Sequence, residues 1–194
     1  MFILKSGNSG QTAHVDDKNR LQTFATSQSE STASALDGDS FNINTGTRTL
    51  TSANTSALLY LKNTDSFDWT IDRVFYNAEV SVGGSGGWLA EVAANPVAGT
   101  LLSAGVAFDP VNFNFGSAKQ LDSTCLKGAE GSTATGGIQG AVSTIIPASG
   151  TRVLIPFDSV ILTPGSSLAV LVTPPAGNTS MDIQVGVNMH REVE

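Results

Sequence analysis

Histidine is the first residue type to examine for chemistry, because its ordinary pKa lets it exchange a proton near neutral pH. The chain contains two histidines, His14 and His190. A serine-hydrolase triad needs a histidine oriented by a carboxylate, beside a serine on a sharp strand-to-helix turn. The sequence places no G-x-S-x-G pattern on such a turn. We therefore expect both histidines to be solvated or to lie in an interface, and we predict no catalytic residues.

Paired carboxylates are the second candidate for chemistry, because two of them can hydrolyse a glycosidic bond. Most acidic residues lie in or beside predicted turns, and only Asp72, Glu91 and Asp182 fall well inside predicted strands. Their spacing does not single out a pair. An enzyme, such as a glycosidase or polysaccharide depolymerase, is therefore the least favoured class of function.

The sequence also predicts no metal and no cofactor. The single cysteine, Cys125, excludes an internal disulfide and the cysteine-rich zinc sites, and is expected to be a small buried residue. The acidic turn that begins at Asp37 fails as an EF-hand because its twelfth position is Arg48. The glycine-rich segment 83–87 lacks the following Lys-Ser or Lys-Thr of a phosphate-binding loop, and is predicted to be a flexible connection between strands.

Charge excludes two classes of partner. The formal net charge is -7, and the ten lysines and arginines are scattered along the chain, so we expect neither a nucleic-acid nor a membrane partner. Charged residues make up only 14% of the chain, against roughly 25% in soluble domains. A surface built from Ser, Thr, Asn and Gly suits a β-rich protein that packs against neighbours. The apolar start, residues 1–4, is too short for a signal peptide, so a soluble, unexported protein is expected.

The clearest structural pattern lies near the C-terminus, in residues 161–191. Two apolar runs alternate with small or polar residues, first Leu168, Val170 and Val172, then Met181, Ile183, Val185 and Val187. A Pro/Gly/Asn segment, 174–178, separates them. Alternation of this kind predicts strands with one buried face, and the break predicts that the two strands form an antiparallel pair. We expect the centre of the core to consist of Leu168, Val170, Val172, Ile183, Val185 and Val187.

Similar short patterns recur along the chain. Strands are predicted at 41–44, 47–50, 56–61, 68–76, 88–93, 141–146 and 152–155, with a short strand or irregular segment at 99–104 and a loop at 118–140. Residues 26–35 suit either a helical turn or a linker, and residues 111–116 are rich in aromatics and amides. Breaks about every eight to twelve residues predict an all-β fold, an antiparallel β-sandwich of jelly-roll type.

The N-terminal residues 1–30 are predicted to form an arm or hairpin outside a single β-sandwich domain, residues 31–194. A strand around His14, a turn at 16–19 and a second strand at 20–25 would make a hairpin, either reaching a neighbouring subunit or packing on its own domain. Trp88, next to the glycine-rich segment, is either a core residue or an exposed aromatic surface. The candidate interface residues are Phe2, Ile3, Leu4, His14, Leu21, Phe24 and Trp88.

Several segments between residues 40 and 188 carry a family resemblance. They are 41–46 (FNINTG), 49–51 (TLT), 57–63 (ALLYLKN), 114–119 (NFGSAK), 127–131 (KGAEG), 164–168 (PGSSL) and 177–181 (GNTSM). With these segments the chain resembles small virion structural proteins of tailed bacteriophages, of the head decoration or cement type. These motifs are structural, and the family offers no catalytic residues.

The resemblance implies a function based on contacts. It implies a β-rich protein, often a homotrimer, that sits on the outer capsid surface at junctions between hexamers and bridges neighbouring major capsid proteins. It also implies synthesis in the host cytoplasm before incorporation into the virion. The alternative from the residues is a tail- or fibre-associated module that binds host glycans, with Trp88 stacking on a sugar ring.

Overall fold

A computed structural model describes residues 4–5, 12–15, 21–22, 30–79, 81–145 and 152–191. Side chains are described from residue 32 onward, apart from 80 and 141–159. The elements are β1 (Leu4–Lys5), β2 (Thr12–Val15), β3 (Leu21–Gln22), α1 (Glu30–Asp37), β4 (Ser40–Asn44), β5 (Arg48–Leu50), β6 (Ser56–Asn63), β7 (Trp69–Ala78), β8 (Trp88–Ala94), α2 (Thr100–Ala104), β9 (Val106–Ala107), β10 (Val111–Asn112), β11 (Ser123–Lys127), β12 (Ile138–Ile145), β13 (Arg152–Leu162), β14 (Ser167–Thr173) and β15 (Met181–Arg191).

Two antiparallel sheets form the body of the molecule. The first has the order β10-β4-β15-β7-β13, with β5 also paired to β15, and the second has the order β12-β8-β14-β6-β11-β9. Without the short or edge strands β5, β9, β10 and β11, eight strands remain. Numbered in chain order, they read 1-8-3-6 in one sheet and 5-4-7-2 in the other. This is the jelly-roll arrangement of two Greek keys, and it confirms the predicted fold class.

The two closing strands lie in different sheets. β14 pairs with β6 and β8, whereas β15 pairs with β4, β5 and β7. The predicted antiparallel pair of β14 with β15 is therefore wrong. Alternation reveals which face of a strand is buried, but it does not reveal the neighbouring strand. Residues 174–180 carry the chain from one sheet to the other.

The apolar residues of the closing strands do form the centre of the core. Six residues on β14 and β15 are buried in the main cluster, namely Leu168, Val170, Val172, Ile183, Val185 and Val187. The two sheets thus bury their facing sides against each other, and each fully buried aliphatic side chain contributes about 1.5–3 kcal/mol. This part of the sequence prediction is confirmed.

A bulge in β7 changes which of its side chains face the core. Ile71 is buried before the bulge, and Val74 and Tyr76 are buried after it. In the pairing with β15, Ile71 lies opposite Met189 and Arg73 lies opposite Asn188. Asp72 therefore has no partner residue on β15 and is the extra residue of the bulge. Unbroken alternation from Ile71 would place Arg73 on the core face, but Arg73 is exposed and Val74 is buried.

The bulge also places Phe75 on the outer face of its sheet, whereas unbroken alternation from Trp69 would place it on the core face. Phe75 lies opposite Gly186 of β15. A Cβ atom added to Gly186 would overlap the Phe75 ring. The glycine therefore gives the ring room to lie flat on the neighbouring strand, and Phe75 is buried despite its outward position.

Three other segments differ from the sequence prediction. Residues 99–104 contain helix α2, whose Leu101 is buried in a small cluster with Tyr60 on the outer face of the second sheet. The predicted loop 118–140 contains β11 and the start of β12. β13 continues past Pro156 to Leu162. Proline is tolerated on edge strands and at bulges, and β13 is an edge strand whose register shifts after Pro156.

The N-terminal strands form a separate sheet of order β1-β2-β3. β2 and β3 are antiparallel, with His14 opposite Gln22 and Val15 opposite Leu21. The hairpin itself stays a prediction, because its turn lies outside the described residues. Helix α1 occupies the end of the segment that suited either a helical turn or a linker. The division into an arm at 1–30 and a domain at 31–194 remains a prediction.

Two isoleucines test the description of the core. Ile183 is fully buried on β15, and Ile138 on β12 is 75% exposed. We expect Ile183→Ala to lower the free energy of unfolding by about 2–5 kcal/mol, because it removes transfer energy and leaves a cavity. Ile138→Ala, the matched control, should change it by about 0.5 kcal/mol or less. Urea unfolding followed by tryptophan fluorescence measures both, and equal losses would contradict the assignment of the two faces.

Candidate contact surfaces

Three of the predicted interface residues lie on the N-terminal strands. Leu4 is on β1, His14 on β2 and Leu21 on β3. Phe2, Ile3 and Phe24 lie outside the described residues. The interface role of all six stays a prediction.

Trp88 is a core residue, so its predicted role as an exposed contact is wrong. Its side chain is 1% exposed, at an inward-facing position of β8. The ring lies edge-on to Tyr76 of the opposite sheet, with centroids 5.4 Å apart and an interplanar angle of 60°. This geometry is a favourable aromatic pairing that joins the two sheets. A sugar ring could not stack on this indole without opening the sandwich.

His190 is buried, whereas a solvated or interface position was expected. Its side chain is 4% exposed, and its Nδ1 atom lies 3.0 Å from an Asp72 carboxylate oxygen. The β7 bulge positions Asp72 for this contact, because it adds that residue at the point where β7 meets the end of β15. A histidine–aspartate pair is a component of catalytic triads. Here, however, the imidazole is closed to a substrate, so the pair links two strands.

Arg191, the next residue, joins several loops to the end of β15. Its guanidinium lies 2.6 Å from a carboxylate oxygen of Asp65 and 3.6 Å from one of Asp39. It also lies over the Phe67 ring, 5.3 Å from the centroid. Lys119 adds a second contact to Asp39, at 2.7 Å. Because Asp39 is almost fully buried, these cations compensate a charge that would be costly to leave alone.

Residues 111–117, which we call the aromatic loop, comprise β10 and the turn after it, beside this ionic cluster. Asn112 donates hydrogen bonds from its side-chain amide to the carbonyl oxygens of Gly38 and Lys119, and Asn114 donates one to the carbonyl of Leu36. The side-chain oxygen of Asn112 accepts the N–H of Asn114. The asparagines therefore tie the loop to the turn between α1 and β4.

The aromatic loop presents apolar side chains to solvent. Phe115 is 88% exposed, and Phe113 and Val111 are also exposed, as is Leu36 on the neighbouring helix α1. An exposed group of large apolar residues on a held loop is the usual mark of a contact surface. The alternation of amides and aromatics in 111–116 was the available signal, and the sequence alone did not show which set points outward.

A second loop is held by a single carboxylate. Glu130 accepts four hydrogen bonds, from the backbone N–H and the hydroxyl of both Thr51 and Ser52, at 2.7 to 2.8 Å. The hydrogen bond from the Thr51 hydroxyl is the largest effect that lowers the pKa of Glu130. The hydrogen bonds from the Ser52 hydroxyl and from both N–H groups lower it further, whereas burial raises it. The ionised carboxylate thus fixes the segment after β5.

The remaining candidates for chemistry are structural. Cys125 is buried as expected, and burial raises the pKa of its thiol to about 11, so it is a poor nucleophile at neutral pH. Among the described residues, His, Cys, Asp and Glu side chains do not gather in threes as metal ligands would. Helices in the described part of the chain are too short to cross a membrane.

Comparisons with known proteins give only weak structural likenesses. No family model matches the sequence, and no curated protein is similar to it. Among solved structures, a chain of tomato aspermy virus is 7% identical, with a TM-score of 0.30, over 80% of this chain and 78% of that one. A mud crab dicistrovirus chain is 11% identical, with a TM-score of 0.33, over 98% and 87%. A Triatoma virus chain is 14% identical, with a TM-score of 0.32, over 98% and 76%. Scores this low do not establish a shared fold, so the jelly-roll assignment depends on the strand order.

The Glu130 contacts predict a pH dependence. A lowered folded-state pKa means that the carboxylate stabilises the fold above its ordinary pKa of 4.5, and that this contribution is lost as the pH falls through the folded value. Glu130→Gln should therefore cost about 1 kcal/mol or less at pH 7, because the site is largely solvated. Below pH 4 the difference from the parent should shrink.

The matched control is Glu79→Gln, since Glu79 is an exposed glutamate after β7. Its effect should be near zero at both pH values. Chemical denaturation at pH 7 and at pH 3.5 measures all three proteins. A penalty for Glu130→Gln that is equally large at both pH values would contradict the proposed role of the charge.

Proposed function

We propose that this chain is a virion structural protein, a capsid decoration or cement protein that binds the outer surface of a phage head and bridges neighbouring major capsid proteins. The aromatic loop is the observation that carries the proposal. It is an exposed apolar surface, held by hydrogen bonds on a jelly-roll frame. The sequence resemblance supplies the identity of the partner.

The physical properties of the chain suit a cement protein. Such a protein stabilises a shell by mass action, because it binds the assembled lattice and not the separate subunits. A frame that is already ordered loses little conformational entropy when it binds. A chain with only 14% charged residues has few ionic side chains that a contact would have to strip of water. In this proposal the protein is a homotrimer, and residues 1–30 reach a neighbouring subunit.

The aromatic loop favours a protein partner over a glycan. Sugar sites combine an aromatic platform with free polar groups that hydrogen-bond the hydroxyls. The side-chain amides of Asn112 and Asn114 are already used within the loop and its supports, and Ser117 accepts the N–H of Lys119. Trp88, the platform that the sequence suggested for host glycans, is buried. A tail- or fibre-associated glycan-binding module is therefore the weaker alternative.

Heads of the parent virus test the proposal. Purified protein added to heads that lack it should co-sediment with them and raise the temperature at which they release DNA. Cryo-electron microscopy should show added density on the outer surface, between hexamers. A chain without residues 1–25 should remain folded but bind more weakly. Density confined to the tail would contradict the proposal, and hits on a glycan array would then favour the alternative.

A further inference from the structure

Phe115 is the most exposed large apolar side chain among the described residues. It lies at the tip of the aromatic loop, where Gly116 and Ser117 both direct their N–H groups to Asn114 and close a tight turn. The turn is therefore ordered before any partner arrives. An ordered aromatic side chain on a protruding loop is the kind of residue that anchors an interface by entering a pocket.

The same fold contains an apolar cavity that fits such a side chain. Its volume is about 170 Å³, and it lies between the two sheets at the β13 edge. The lining is almost entirely apolar and includes Ile71, Val74, Val92, Val160, Leu162 and Leu168. An apolar cavity of about 150 Å³ accepts a benzene ring. Gly140 is exposed and also lines the cavity, so the cavity reaches the molecular surface.

One chain cannot place its own Phe115 in this cavity. The aromatic loop adjoins β10, and the cavity adjoins β13, at opposite ends of the order β10-β4-β15-β7-β13. Four strand spacings separate them, which is about 19 Å at roughly 4.8 Å per spacing. The phenyl ring must therefore come from a second molecule, and every copy carries both the ring and the cavity.

We propose that copies of this chain associate head to tail, with Phe115 of one copy seated in the cavity between the sheets of the next. No charged side chain is among the described residues that line the cavity, so the ring displaces no ion from water. Phe115 contributes about 200 Å² of buried surface. The adjoining Val111, Phe113 and Leu36 extend the contact toward the roughly 800 Å² per partner of a stable interface.

This contact explains how copies could form a closed assembly. A head-to-tail interface yields a ring if its rotation closes and a filament if it does not. A ring of three would be the homotrimer of the proposed function. The inference rests on the self-association in that proposal and not on capsid binding, so its test uses the isolated full-length chain.

Two variants separate the parts of the contact. Phe115→Ser removes the ring and keeps the cavity, while Ala94→Phe fills the cavity from its own lining and keeps the ring. By analytical ultracentrifugation the parent chain should form assemblies larger than a dimer. Each variant alone should be a monomer, with association weakened at least about 30-fold. Val97→Ser, at a valine 76% exposed elsewhere, should assemble like the parent.

A mixture of the two variants gives the decisive result. Phe115→Ser offers only a cavity and Ala94→Phe only a ring, so an equimolar mixture should form a one-to-one dimer and stop there. If Ala94→Phe does not fold by circular dichroism, Gly140→Leu replaces it, because its side chain starts where the cavity reaches the surface. A monomeric parent, a Phe115→Ser variant that assembles like the parent, or a mixture that stays monomeric would overturn the proposal. Co-sedimentation of the parent chain with heads tests capsid binding separately from self-association.

Discussion

The structure depends on the pairing of β15 on both of its sides. This last strand forms ladders with β4 and β5 on one edge and with β7 on the other. It therefore joins the first strands of the sandwich to the middle of the chain. Its inward residues, among them Val185 and Val187, complete the core against β14 in the opposite sheet. Because these ladders join residues more than a hundred positions apart, the sandwich cannot close until the end of the chain is in place.

The last residues of β15 hold the neighbouring surface loops in place. His190 meets Asp72 at the β7 bulge, and Arg191 joins the carboxylates of Asp39 and Asp65. These contacts order the loops at this end of the sandwich, where Lys119 and the asparagines hold the aromatic loop in turn. The buried histidine–aspartate pair resembles part of a catalytic site, but here it and its neighbouring ion pairs hold a contact surface in place. A protein that acts by binding needs such order, since a disordered loop would lose affinity when it became fixed.

The sequence predicted the kind of fold because alternation is a local property. Val170 and Val185 could be placed in the core from their neighbours alone, and the spacing of turns indicated a sandwich. Strand partners are not local, so β14 and β15 were wrongly paired with each other. The bulge at Asp72 was missed because no residue type marks an inserted position, and the His190–Asp72 pair was missed with it. Trp88 has the same sequence signature in a core as on a surface, and only the strand register decides between them.

The position of β15 is best tested by nuclear magnetic resonance of the labelled chain. Cross-strand backbone contacts should join Val185 to Tyr76 and Val187 to Val74, as the β15–β7 register requires. On the other edge they should join Val187 to Ile43. Backbone contacts between β14 and β15, such as Val170 with Val185, should be missing from the same spectra. If such contacts were present, β14 and β15 would be paired with each other and the strand order would not be that of a jelly roll. That result would contradict the account of the aromatic loop and of the cavity between the sheets.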